Sequence, residues 1–168
     1  MAQIKFKGNP VHTAGELPKA GDTAPDFRLT GTDLADISLA SYAGKNLIVS
    51  VFPSLDTPVC AASVRRFNVE AGKLKNTVVL CVSRDLPFAH KRFCVAEGLS
   101  NVVSASEYKN ASFSDGYGLR IVDGPLAGLL SRAIIAIDAT GKILYTEQVP
   151  EITQEPDYDR ALAALSTV

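Results

Sequence analysis

Three cysteines in this chain carry the chemistry worth weighing first: Cys60, Cys81 and Cys94. Cys60 closes the stretch Pro53-Ser54-Leu55-Asp56-Thr57-Pro58-Val59-Cys60. The apolar run Leu47 to Phe52 predicts a strand entering this stretch, and an amphipathic pattern predicts a helix leaving it. Thr57 suits the N-cap, where its hydroxyl would accept from a backbone N–H of the first turn. Pro58 suits the first helical position, where a missing N–H is no loss. Cys60 then falls inside the first turn, where free N–H groups and the helix dipole favour a thiolate over a thiol. Val64, Phe67, Ala71 and Leu74 follow it at helical spacing, which puts Cys60 on the buried face. A thiolate in a partly closed apolar pocket is a nucleophile for an electrophilic oxygen or sulfur.

The other candidates are weaker. Cys81 sits mid-strand between Leu80 and Val82, with no cap or cation nearby in sequence, and reads as an inert buried thiol. His12 is isolated. His90 stands beside Lys91 and Arg92 on a charged helix face and reads as a solvated surface residue. A dithiol oxidoreductase would want C-x-x-C, and Cys60-Ala61-Ala62-Ser63 lacks the second cysteine. A cysteine hydrolase needs a histidine base, which two scattered histidines do not indicate. No spacing of cysteines and histidines suggests a metal site, and no glycine-rich motif suggests a nucleotide.

The elements that must position these residues come from one domain spanning residues 1–168, long enough for a substantial core. A net charge of −1 gives no electrostatic case for nucleic acid or an anionic membrane surface, and no apolar run approaches a membrane span. No secretory signal is visible, and an odd cysteine count suits a reducing compartment, so a cytoplasmic location is expected. Residues 2–7 and 11–13 predict an N-terminal hairpin around Gly8-Asn9-Pro10. Short strands are expected at 26–30 and 36–39. The strand 47–52, a helix from Pro58 to about Leu74 and the strand 78–82 form a βαβ unit with near-continuous apolar strands. A second helix spans about Pro87 to Glu97 and stops at Gly98, with Leu86, Ala89, Phe93 and Ala96 as its apolar stripe and Cys94 on the flank. A short strand at 101–105 precedes an irregular stretch, 106–131, with one helical turn near Ser112. The runs 133–137 and 143–149 flank a hairpin turn, and Pro156 opens a last helix.

The spacing Pro53, Thr57, Cys60 matches P-x-x-x-T-x-x-C, the peroxiredoxin active-site pattern. Asp85-Leu86-Pro87-Phe88-Ala89 with Arg92-Phe93-Cys94, the run Asp123 to Leu129, and Glu151-Ile152-Thr153 with Glu155-Pro156-Asp157-Tyr158 narrow the likeness. From about Gly8 onward the chain resembles the bacterial thiol peroxidases, which are atypical two-cysteine peroxiredoxins. The resemblance implies an α/β thioredoxin-like fold: a mixed central sheet flanked by helices, here with an N-terminal β-hairpin. It implies that Cys60 is the peroxidatic thiol, attacking hydrogen peroxide or an organic hydroperoxide, and that Cys94 resolves the resulting sulfenic acid as an intramolecular disulfide. Thr57 and Arg132, just ahead of Ala133-Ile134-Ile135, would activate and position, and Pro53 would shield the pocket. The Thr57 hydroxyl cannot fully serve both the cap and the substrate.

The family also implies thioredoxin as reductant, a homodimer with its interface near the site, and no metal, haem or flavin cofactor. Because a disulfide needs Cα atoms about 4.4–6.8 Å apart, two thiols on separate helices require local unwinding to meet. Arg84 stands where the subfamily would have a small or apolar residue, and is expected to alter the local surface or the reductant contact. The segment 113–131 is expected to line a pocket for bulkier hydroperoxides. A peroxide-responsive sensor or a chaperone using the same disulfide switch is the alternative; catalytic turnover separates it from an enzyme.

Overall fold

A computed structural model describes residues 1–166. The elements in chain order are β1 (Gln3–Phe6), β2 (Asn9–His12), β3 (Arg28–Gly31), β4 (Asp36–Ser38), a 3₁₀ turn (Leu39–Tyr42), β5 (Asn46–Val51), α1 (Pro58–Ala71), β6 (Thr77–Ser83), α2 (Pro87–Glu97), β7 (Val103–Ser106), α3 (Ser112–Tyr117), β8 (Ala133–Ile137), β9 (Ile143–Gln148) and α4 (Tyr158–Leu165). β1 and β2 make a separate two-stranded sheet. The other strands form one sheet in the order β4-β3-β7-β6-β5-β8-β9, parallel across β7-β6-β5 and antiparallel elsewhere. This is the expected mixed central sheet flanked by helices, with a separate N-terminal hairpin.

Because side chains alternate along a strand, the central strands feed two cores. Val49, Val51, Leu80, Val82 and Ile135 join Phe27, Phe113 and Tyr117 on one face. Ile48, Val79, Cys81, Ile134 and Ala136 join Cys60, Val64, Phe67 and Ala161 on the other. Both faces are covered, which explains why β5, β6 and β8 read as unbroken apolar runs.

Several local expectations shift. The first hairpin turns at Lys7-Gly8, not Gly8-Asn9-Pro10, with φ of 51° and 81° at its two central residues. Two left-handed residues match the right-handed strand twist. Pro10 therefore lies in β2 opposite Lys5, on an edge where its missing N–H is tolerated. α1 ends at Ala71, before Gly72, rather than at Leu74. The last helix begins at Tyr158, where the Asp157 side chain accepts from the Arg160 N–H, so Pro156 lies just outside it. α2 keeps its predicted limits and its Gly98 stop, at φ 65°.

Candidate functional site

β5 runs out at Val51 and delivers the chain through Phe52 and the buried Pro53 to the start of α1. Thr57 is the N-cap by backbone conformation and Pro58 occupies the first turn, as expected. The hydroxyl does not cap. It donates to the Ser54 carbonyl at 3.1 Å, so toward the pocket it acts as an acceptor. Cys60 follows in the first turn, fully buried, its sulfur packed in the same core as Phe52, Val64 and Phe67.

Arg132 comes to the sulfur from the strand next to β5, one residue ahead of β8. It is 2% exposed. Its Nη2 donates to Cys60 Sγ at 3.1 Å and its Nε donates to the Ile152 carbonyl at 2.8 Å. Its Nη1 is buried with no hydrogen-bond partner among the described residues. A guanidinium donating to sulfur stabilises negative charge there, and a spare N–H in a dry site stabilises charge developing on a neighbouring oxygen.

Arg132 also lines a cavity of about 310 Å³. Pro53, Thr57, Val59 and Arg132 line it, together with the apolar Leu126, Leu129 and Ile152. Phe6 and Lys7 of the hairpin complete it, a contribution the sequence did not reveal. The hairpin is held in place by Glu151, whose carboxylate accepts from the Lys7 and Gly8 N–H groups at 2.9 and 3.0 Å. The Leu126–Leu129 segment is held by Arg84, whose Nη1 donates to the Gly128 carbonyl at 2.6 Å. Arg84 Nε also lies 3.8 Å from the carboxylate of Glu107, a side chain with no exposure. Burial raises the Glu107 carboxyl above its usual range, with the Ser114 hydrogen bonds and Arg84 pulling it back. Arg84 thus shapes the wall of the pocket.

Cys94 stands apart from this pocket. It is half-buried on α2, its sulfur 3.4 Å from the Ser104 hydroxyl, and it lines a different cavity with Lys91, Leu99 and Val102. Cys60 and Cys94 are both free thiols. Cys81 is fully buried on β6, and burial pushes its thiol strongly up, with nearby Cys94 adding to the effect. A thiol so held is a poor nucleophile, in keeping with an inert role.

Both histidine expectations need correction. His12 is not isolated: its Nδ1 lies 2.6 Å from Asp123, whose carboxyl is lowered by that contact. His90 is not on the surface. It is fully buried, its Nε2 2.9 Å from the Ser83 hydroxyl and its ring tilted against Phe52. The predicted stripe of α2 is displaced by about one position, since Leu86 and Ala96 are exposed while Pro87 and His90 are buried. Burial lowers the His90 imidazole to about 4, against an opposing pull from Asp85. Asp85 itself accepts from the Ser54 hydroxyl and the Leu55 N–H, each at 2.8 Å, fixing the loop ahead of Cys60. Among the described residues no group of three or more His, Cys, Asp or Glu side chains is assembled to ligate a metal. No helix among them is long and apolar enough to cross a membrane.

The Redoxin family model matches residues 19–162. A thiol peroxidase of Mycobacterium tuberculosis is 56% identical over 165 residues, covering 98% of this chain and 99% of that one. Among solved structures, a peroxiredoxin-like protein from Aquifex aeolicus superposes with a TM-score of 0.93 at 37% identity, covering 100% of this chain and 98% of that one. A thiol peroxidase from Chromobacterium violaceum superposes with a TM-score of 0.91 at 22% identity, covering 99% of this chain and 97% of that one.

Proposed function

The chain belongs to the redoxin family, among its thiol peroxidases, and on that premise we propose that Cys60 and Cys94 carry a two-cysteine peroxidase cycle. The observation that carries this reading is the Arg132 guanidinium, which lines an apolar pocket, donating to the Cys60 sulfur. The Cys60 thiolate attacks one oxygen of the hydroperoxide. An S–O bond forms as the O–O bond breaks, and the second oxygen departs with the electron pair and takes up a proton as water or alcohol. Cys60 is left as sulfenic acid. Arg132 Nη2 steadies the sulfur, and the unpaired Nη1 is the donor placed to meet the leaving oxygen. The Thr57 hydroxyl, already donating to Ser54, accepts the peroxide hydrogen. Pro53 keeps bulk water from the sulfur.

The Cys94 sulfur then attacks the Cys60 sulfenic acid. An S–S bond forms, the S–O bond breaks, and the hydroxyl leaves as water with the Cys94 proton. Thioredoxin, a dithiol reductant, returns both cysteines to thiols, and the working unit is a homodimer. Both of these rest on family membership. Hydrogen peroxide and organic hydroperoxides are the substrates, the latter seated against Leu126 and Leu129.

A coupled assay with thioredoxin, its reductase and NADPH tests the cycle. Wild type and Cys81→Ser should turn over, while Cys60→Ser and Cys94→Ser should lose recycling turnover. Turnover surviving without Cys60 would sink the reading.

A further inference from the structure

The buried His90 takes no part in the cycle above, yet it joins the two segments that must move for the cycle to close. Its Nε2 is 2.9 Å from the Ser83 hydroxyl oxygen. That hydroxyl has one hydrogen, and at 2.6 Å from Asp85 Oδ2 it faces a carboxylate that can only accept. Ser83 therefore donates to Asp85, and His90 must donate to Ser83 through Nε2–H. Asp85 in turn receives the Ser54 hydroxyl and the Leu55 N–H. The donors converge on Asp85, from α2 across the end of β6 on one side and from the loop that enters α1 on the other. Cys94 lies one helical turn beyond His90, and Cys60 lies in the first turn of α1 after that loop.

Two further features make this chain a point of control. Nδ1 of His90 is buried with no hydrogen-bond partner among the described residues. An apolar side chain would fill that place without stranding an acceptor, so the site holds a specific donor at a cost to packing. Apart from His90, α2 fully buries only Pro87, and its Phe88 and Val95 are exposed. A helix with few buried contacts depends more on each one it has.

We propose that His90 is a positioning residue that latches the Cys94 helix to the loop ahead of Cys60, so that release of the latch sets the rate at which the two sulfurs join. The proposal rests on the roles given above to Cys60 and Cys94. While the latch is closed, the sulfurs are held apart. When it opens, α2 and the loop move independently, and the Cys94 thiol reaches the sulfenic acid. A second hydroperoxide competes during the closed interval. It transfers an oxygen to the sulfenate, its O–O bond breaking as an S–O bond forms and the other oxygen leaving with the electron pair as water or alcohol, which gives the sulfinic acid.

The test is a rapid-quench, single-turnover experiment on the full chain with one equivalent of hydrogen peroxide, resolving thiol, disulfide and sulfinic forms by mass. His90→Leu removes the donor. Its disulfide should form about 2- to 10-fold faster, the range expected for loss of one net hydrogen bond. Sulfinic acid per turnover should fall, and loss of the Cys60 thiol should stay within about twofold of wild type. His90→Gln restores a donor and should behave as wild type, which a general loss of packing would not reproduce. Ser83→Ala breaks the same chain from the strand side and serves should His90→Leu not fold. Unchanged or slower disulfide formation in the donor-less variants, with the Cys60–Cys94 bond still formed, would overturn the latch alone. Absence of that bond in wild type would overturn the role of Cys94 first and the latch with it.

Discussion

Arg132 divides its guanidinium among a carbonyl, a sulfur and nothing at all, and the third share is the informative one. Nε fixes the side chain on Ile152, Nη2 meets Cys60, and Nη1 is buried unpaired. Replacing Arg132 by Met should lower the rate constant of Cys60 with hydrogen peroxide by about 100-fold or more, the usual loss for one donor to a developing oxyanion. Competition against a second peroxidase reads this directly, and a loss below about threefold would argue that Arg132 is structural. Cys60, Pro53 and Arg132 were legible in the sequence because motif spacing and strand position place them regardless of side-chain detail. Thr57 was half legible: backbone φ and ψ make it the cap, but whether a hydroxyl donates backward to Ser54 or accepts forward depends on loop geometry. His90 was misread because helical periodicity fixes the angle between residues, not which of two adjacent stripes faces the sheet; the donor chain to Asp85 decides that.

His90 also gives a sign-definite pH effect. Its imidazole is lowered to about 4 in the fold from an ordinary value of about 6.5. The unfolded chain therefore binds the proton first, and stability is intact above about pH 6.5 and lost as pH falls toward 4, by up to about 3 kcal/mol. In urea melts between pH 4 and 7, wild type should lose stability relative to His90→Gln as pH falls. Parallel melts at every pH would contradict the assignment.

At the scale of elements, the two helices that carry the cysteines are joined at both ends. Asp85 and its partners tie them near the pocket, and at the far end Arg65 forks onto the Glu97 carboxylate at 2.8 and 2.9 Å. That exposed pair contributes little by itself. Cys60 is fully buried beside Arg132 while Cys94 lines a separate cavity with Ser104, so the proposed disulfide calls for the first turn of α1 or the latter part of α2 to unwind. Amide hydrogen exchange should be faster in the disulfide form than in the reduced form over residues 58–63, 90–97 or both, while β5 and β8 stay protected. Equal exchange in both helices would rule out the unwinding step. The helices and central strands were readable because apolar period and caps agreed. The hairpin turn was not, because Gly8-Asn9-Pro10 and Lys7-Gly8 both carry turn residues, and only strand pairing selects between them.

For the molecule as a whole, the pocket is assembled from segments far apart in sequence: the N-terminal hairpin, the loop ahead of Cys60, Leu126 and Leu129, Arg132 and Ile152. Composition and periodicity say nothing of such meetings, which is why Phe6, Lys7 and the bracing role of Arg84 were not foreseen, although Leu126 and Leu129 were. Polar replacement of Leu126 or Leu129 should raise KM for cumene hydroperoxide more than for hydrogen peroxide, and Arg84→Ala should do the same by freeing the Gly128 carbonyl. Equal effects on the two substrates would count against an apolar wall that selects bulk.

The central claim is that Cys60 takes the oxygen and Cys94 takes the sulfur. The most direct measurement adds one equivalent of hydroperoxide to the reduced protein, blocks remaining thiols, and maps the products by peptide mass. The account predicts a Cys60–Cys94 disulfide with Cys81 blocked as a free thiol, and a Cys60 sulfenic acid that persists when Cys94 is replaced by Ser. A disulfide that includes Cys81 in the wild type, or a sulfenic acid formed at any cysteine other than Cys60, would contradict it.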